Sequence, residues 1–256
     1  MRELFEKTSS EEYNAIERKN PRELEQTKRF YQTVSIKKGD DGFHLVLDDL
    51  PVKTPARREV IVPNEELIHL IANEFNAQTD FIDPSTMPIT RIINTVIDGV
   101  AQDPQPVFED ILRFANNDML FYRATTPEAL VKRQAELWDP ILEWVETHLG
   151  VSFMVGEGIT PIEQPQAAMI AFSVQLRQFS SPFALAAFHT ITALTGSALI
   201  ALAIAKEKLD LDHAWKIAHL DEDWNAEIWG VDSDAQARRN FRQLEFIAAA
   251  TILKQL

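Results

Sequence analysis

Phe183-Ala-Leu-Ala-Ala-Phe-His-Thr-Ile-Thr-Ala-Leu-Thr-Gly-Ser-Ala-Leu-Ile-Ala-Leu-Ala-Ile-Ala205 lies in a tract, residues 178–205, without one Asp, Glu, Lys or Arg. At about 1.5 Å per residue, a helix of this length could cross a bilayer core of about 30 Å. Its composition argues for another fate. His189, Thr190, Thr192, Thr195, Gly196 and Ser197 interrupt it, no aromatic belt flanks it, and Arg177, Lys206 and Lys208 give little orientation signal. A helix apolar on every side is what the centre of a bundle of amphipathic helices requires. The segment is therefore read as a buried central helix, with Thr195-Gly196-Ser197 as the candidate break and His189 as a satisfied core histidine. Stable membrane insertion is not expected.

The flanking sequence supports a bundle. No proline follows Pro182 in the remaining 74 residues, which permits long helices. Upstream, Glu128 to Leu149 places Leu130, Gln134, Leu137, Trp138, Ile141, Leu142, Val145 and Leu149 on one helical stripe, and Val107 to Asn116 is also helical in period. Asp103-Pro104-Gln105-Pro106 marks a boundary ahead of them. Before it the texture changes to short β-prone pieces, Tyr31 to Lys37, Phe43 to Leu47 and Glu59 to Val62, separated by Gly39-Asp40-Asp41-Gly42 and by a segment holding Pro51 and Pro55. These predict a small antiparallel sheet. A helix starting at Pro63-Asn64-Glu65-Glu66 carries Leu67, Leu70, Ile71, Glu74 and Phe75 at helical spacing to Ala77 and packs on that sheet, and a second runs from Ile89 to Val100. The expected class is α+β in two domains: an N-terminal arm over 1–28, rich in Glu, Lys and Arg, a β-rich domain over 29–103, and an all-α domain over 104–256.

The 256 residues hold 25 Lys and Arg against 39 Asp and Glu, a formal net charge of -14. Residues 1–60 contribute 12 of each sign, so the remaining 13 bases and 27 acids place the imbalance beyond residue 60. A field of that sign repels phosphate backbones and anionic membranes, and nucleic acid is not an expected partner. The absence of cysteine excludes disulfides, thiolate zinc sites, iron–sulfur ligation and a cysteine nucleophile. Met1 to Ser10 carries Glu3 and Glu6 and no apolar run, unlike a secretory signal or an acid-poor transit peptide, so a cytoplasmic or already processed protein is expected.

Catalytic motifs are scarce. Histidines stand at 44, 69, 148, 189, 213 and 219, and no pair has the four-residue spacing of a helical metal site. Gly156-Glu157-Gly158 lacks a third glycine and a following Lys-Ser/Thr, and reads as a plain turn rather than a phosphate loop. No Gly-x-Ser-x-Gly elbow occurs. The densest polar feature is 221–234, with six carboxylates and two tryptophans in 14 residues. On a continuous helical wheel Ala214, Ile217, Leu220, Trp224 and Ile228 form the inward stripe, whereas His219, Glu222 and Asp223 point outward. Three readings stand: a solvated helix face, an acidic partner-binding surface in which Trp224 and Trp229 supply aromatic anchors, and a metal site for a hydrolase built on His219, Asp223 and Glu227 at intervals of four. Gly230 is expected to end the helix.

Several separated motifs resemble those of the assembly chaperones of the F-type ATP synthase catalytic head. They are 47–55 (Leu-Asp-Asp-Leu-Pro-Val-Lys-Thr-Pro), 83–91 (Asp-Pro-Ser-Thr-Met-Pro-Ile-Thr-Arg) with Asn94-Thr95, Tyr122-Arg123-Ala124, Trp138-Asp139-Pro140, 194–197 (Leu-Thr-Gly-Ser), and the stretch from Ala214-Trp215 to Trp229-Gly230. The resemblance covers about Phe30 to Leu256. It implies a β-rich domain followed by a helical one, no enzymatic activity, no cofactor, and a protein that holds the free alpha subunit of the head until it pairs with beta, in the bacterial cytoplasm or, for eukaryotic relatives, the mitochondrial matrix. By position it implies a partner-binding role for Glu222, Asp223 and Glu227, and the acidic-aromatic reading adds Trp224, Trp229 and Asp232. Two positions depart from the family pattern: Phe75 where a tryptophan is expected, and Val231 in place of an acid. Pro51, Pro55, Pro84 and Pro88 are expected to fix loops, and Arg91 and Asn94 to bridge the domains or cap a helix. Tyr122 and Arg123 are open to either role.

Overall fold

The computed structural model describes residues 27–158 and 160–256, so the expected arm over 1–28 lies outside it but for its last two residues. These two are tied down: Ile82 N donates to Thr27 O at 2.8 Å, and Lys28 forms a bridge with Phe81.

Strands β1 (Val34–Gly39) and β2 (Gly42–Leu47) form an antiparallel hairpin from Val34↔Leu47 to Gly39↔Gly42, turning at Asp40-Asp41. Strand β3 (Leu50–Pro51) and strand β4 (Ile61–Val62) pair with opposite ends of β2. Gly42 sits at φ +139, and a Cβ there would lie 2.6 Å from the Val62 carbonyl oxygen, so glycine is what lets β4 approach. Helix α1 (Glu65–Ala77), capped by Asn64 Oδ1 accepting from Leu67 N at 2.9 Å, packs on this sheet as predicted and buries Leu67, Ile71 and Phe75 of the expected set together with Ile68, while Leu70 is half-buried. With two-residue strands at β3 and β4, the sheet is smaller than a β-rich domain implies. The fold is α+β with helix predominating.

Helix α2 (Pro88–Thr95) begins where the Glu74 carboxylate accepts from Ile89 N at 2.8 Å, Thr90 N at 2.7 Å and Thr90 Oγ1 at 2.6 Å. It does not continue as an α-helix to Val100. Val96–Val100 is a π turn closed by Ala101 N donating to Val96 O at 2.8 Å, and from it Asp98 reaches back to Thr54 Oγ1 at 2.6 Å and Ala56 N at 3.2 Å.

Eight further α-helices follow among the described residues: α3 (Gln105–Asn116), α4 (Glu128–Leu149), α5 (Gln166–Leu176), α6 (Pro182–Thr195), α7 (Ala198–Ala205), α8 (Leu211–Ala218), α9 (Leu220–Trp229) and α10 (Ser233–Lys254). Helix α4 has the limits its stripe predicts, with Gln134, Trp138, Ile141, Leu142 and Val145 buried. Strand β5 (Tyr122–Arg123) pairs in parallel with strand β6 (Gly156–Glu157), so the Gly156-Glu157-Gly158 segment is a short strand leading into a turn rather than a plain turn.

The uncharged tract forms the centre of the bundle as α6 and α7, both largely buried, and among the described residues no helix is long and apolar enough to cross a membrane. The break falls where expected. Gly196 closes α6 at φ +69, and Ser197 Oγ accepts from Ile200 N at 3.0 Å to start α7. His189 is buried with Nε2 2.8 Å from Asp110 Oδ2. Asp118, fully buried, pins the elbow: one carboxylate oxygen accepts from Ser197 Oγ at 2.9 Å and Leu199 N at 3.0 Å, the other from Leu120 N at 3.1 Å. Burial pushes its carboxyl up to about 7 against the pull of these donors.

Helix α10 crosses α6 and α2, burying Phe246, Ala248, Ala249, Ala250, Ile252 and Leu253. Arg91 of α2 pairs with Glu245 of α10, and Asn64 Nδ2 donates to Gln255 O at 2.7 Å. One hydrophobic cluster runs without interruption from Tyr31 to Leu253.

Candidate functional site

The acidic stretch is presented by a helical break. Asp210 caps α8 by accepting from His213 N at 2.9 Å, α8 stops at Ala218, and α9 starts at Leu220, with His219 between them at φ -111, ψ 21. The break resets the helical phase, which overturns the continuous wheel. His219 does not face outward: it is 3% exposed, its ring lies 3.9 Å from that of Trp215, and Nδ1 is 2.9 Å from Trp215 O. Burial lowers its pKa. Ile228, expected inward, is 53% exposed, and Trp224 is half-buried with the Arg133 guanidinium 4.9 Å from its ring centroid. Within α9 the residue that reaches the core is Leu220.

The acids have divergent surroundings. Asp221 accepts from Gln134 Nε2 at 2.8 Å, and the same buried glutamine accepts from Ala124 N at 2.8 Å, which fixes α9 to α4 and to the strand-β5 loop. Asp223 pairs with Arg239 of α10, and Glu227 accepts from Arg133 NH1 of α4 at 2.8 Å. Asp232 caps α10, accepting from Asp234 N at 2.8 Å and Ala235 N at 3.0 Å, and these amides hold its carboxyl below the usual range. Glu222 is exposed. Beyond the ion pairs, Trp229 is 83% and Val231 68% exposed on either side of Gly230, whose φ of +91 turns the chain from α9 toward α10.

The structure therefore joins Asp223, Trp224 and Glu227 to two arginines, and leaves Ile228, Trp229 and Val231 exposed at the end of α9, with Glu222 in its first turn and Asp232 and Asp234 just beyond in sequence. Arg133 and Arg239 were not among the candidates. Arg133 lies 94 residues from Glu227, and no local pattern connects them. His219, Asp223 and Glu227 do not converge, and among the described residues no group of three His, Asp or Glu is placed to hold a metal ion, so the hydrolase reading loses its site.

Comparison with known proteins bears on the family and the overall fold. A family profile described as ATP12 chaperone protein matches residues 28–146. A protein of Agrobacterium tumefaciens, described as a candidate chaperone, is 47% identical with a TM-score of 0.86, the match covering 89% of this chain and 85% of that one. Atp12 from Paracoccus denitrificans is 32% identical with a TM-score of 0.83 over 89% of this chain and 97% of its own, and an aspartate-to-lysine mutant of that protein has the same fold. The mitochondrial atp12 protein of Schizosaccharomyces pombe is 26% identical over 240 residues, 89% of this chain and 82% of that protein.

Proposed function

Because the chain belongs to the ATP12 chaperone family, we propose that it assists assembly of the F-type ATP synthase by holding the free alpha subunit of the catalytic head until beta subunits replace it, without enzymatic chemistry. The observation that carries this reading is the tip of α9, where Ile228, Trp229 and Val231 stand exposed amid acids. Isolated apolar side chains on a surface are ordinary, but an exposed tryptophan among apolar neighbours with a charged rim has the anatomy of a binding hot spot. The acids steer the tip toward basic groups, and Trp229 supplies contact area. Release needs no nucleotide: a chaperone that binds less tightly than the final neighbour is displaced by mass action.

Within this reading the partner-binding set is Glu222, Asp223, Trp224, Glu227, Trp229 and Asp232, with two kinds of role. Glu222 and Trp229 are available to touch the client, whereas Asp223, Trp224, Glu227 and Asp232 hold α9 and α10 in position through Arg133, Arg239 and the α10 amides. The same reading keeps a division near residue 103, the sheet and α1–α2 on one side and α3–α10 on the other, and places the protein in the bacterial cytoplasm or mitochondrial matrix.

Co-expression with the alpha subunit alone, with beta as control, tests it. Alpha should stay soluble and co-purify, and beta should not. Trp229→Ala should weaken the complex at least tenfold while its own unfolding free energy moves by no more than about 0.5 kcal/mol, the range for exposed substitutions. Failure of the wild-type protein to retain alpha would overturn the reading.

A further inference from the structure

Helix α5 is the anomaly of the bundle. Its 11 residues, Gln166–Leu176, contain no charge and, apart from Gln166, Ser173 and Gln175, are apolar around the helix, a composition close to that of an enclosed helix. Yet it is enclosed on one side, by Ala168, Phe172 and Leu176, while Ile170 and Val174, one turn apart, are each 57% exposed. Between this bare side and Leu112 of α3 runs a groove of about 520 Å³, lined also by Met169, Ser173 and Arg177. Arg177 is the charged member of that lining, and among the described residues it has no acidic partner, in a chain where acids outnumber bases 39 to 25.

We propose that this groove is a second docking site for the client, taking an amphipathic helix with apolar residues at i, i+3 or i+4 and i+7 and an acidic residue against Arg177. The inference rests on the assembly-chaperone reading and extends it to a surface outside the acidic stretch. Charge decides between occupants. A second copy seated groove to groove brings Arg177 toward Arg177 and supplies no acid, whereas a client helix with a carboxylate at one end satisfies the cation and the apolar floor together. Helices α3 and α5, in contact with each other, flank the groove, and a third helix packs into such a trough at an interaxial distance of about 8–10 Å. Size argues the same way: a stable interface takes roughly 800 Å² from each partner, more than three side chains at the tip of α9 offer.

The two surfaces are joined through one helix, α4. Arg133, in the early turns of α4, holds α9, and Glu146, near its end, accepts from Phe153 N at 2.8 Å. Gln164 then clamps Met154 through both backbone groups, at 2.9 Å each, just ahead of α5. Arg133 and Glu146 stand thirteen positions apart on α4, about 20 Å along the axis, with Pro140 between them. A client engaging both surfaces binds through two linked contacts, and losing either weakens capture without abolishing it.

The absence of cysteine makes the test direct. Ser173→Cys, labelled with a photoactivatable maleimide, should cross-link to the alpha subunit in the co-expressed complex, and Asp40→Cys on the β1–β2 turn should not. Ile170→Asp should weaken retention of alpha at least tenfold with an unchanged melting temperature, and Arg177→Glu should weaken it several-fold while Arg177→Lys restores it. If wild type retains alpha but Ser173→Cys does not cross-link to it, or Ile170→Asp binds as wild type, the groove proposal falls and the chaperone reading stands. Cross-linking of the label to another copy of this chain overturns the proposal in favour of self-association. Failure of wild type to retain alpha removes both.

Discussion

At the scale of single residues, Asp118 has the largest consequence for solution behaviour. Its burial at the α6–α7 elbow raises its carboxyl from the ordinary 3.8 to about 7, so the folded state holds a proton that the unfolded chain releases near pH 4. Between those values the folded state binds more protons, and stability falls as pH rises. Urea unfolding should therefore show a midpoint that declines from pH 5 to pH 8, a slope that Asp118→Asn removes. The variant should also be less stable by about 1–3 kcal/mol, because its amide offers a donor where Ser197, Leu199 and Leu120 also donate. Residue-level legibility depended on range. His189 could be placed in the core because it sits in an uncharged run, whereas His219 was assigned the wrong side because its neighbours alone do not reveal the backbone break beneath it. The basic partners of Asp223 and Glu227 arrive from other helices, and sequence spacing carries no trace of them.

At the scale of elements, Gly196 separates α6 from α7 by adopting a left-handed conformation at φ +69. A Cβ there meets only ordinary contacts with Met119, the nearest at 3.6 Å, so Gly196→Ala should cost the conformational penalty alone, about 1–2 kcal/mol. Chemical denaturation would measure it, and a loss above 4 kcal/mol would show that the elbow has no room for a methyl group. The sequence marked this break and both ends of α4, because glycine flanked by a capping serine and an unbroken stripe are strong local signals. Helix α5 gives no such signal: its apolar residues are spread around the helix, so no periodicity marks it. The extent of sheet was overread, since β-branched residues around 59–62 serve a two-residue pairing rather than a full strand.

At the scale of the whole molecule, net charge governs encounter. With the -14 beyond residue 60, the proposed capture of a client through basic groups would be steered over distances that salt erases. Raising ionic strength from about 0.1 M to about 1 M shortens the screening length from about 10 Å to about 3 Å. The association rate should then fall by roughly tenfold or more, and surface-plasmon kinetics in both salts would show it; a dissociation rate that changes instead would assign the acids to the final contact. Composition and separated motifs made this molecular class readable, but not which helices meet, because that depends on contacts spread along the chain.

Helix α10 shows what those distant contacts mean for the order of events in the cell. Its buried half, Phe246 to Leu253, lies against Trp215 at 5.1 Å between ring centroids and across α6, and its end is fastened to Asn64. During synthesis the preceding helices must wait for these residues to clear the ribosome, at about 5–20 residues per second, with the apolar flank of α6 still bare. Until residues 246–253 emerge, the chain carries an unfinished surface of its own along α6, and their docking ends that exposure.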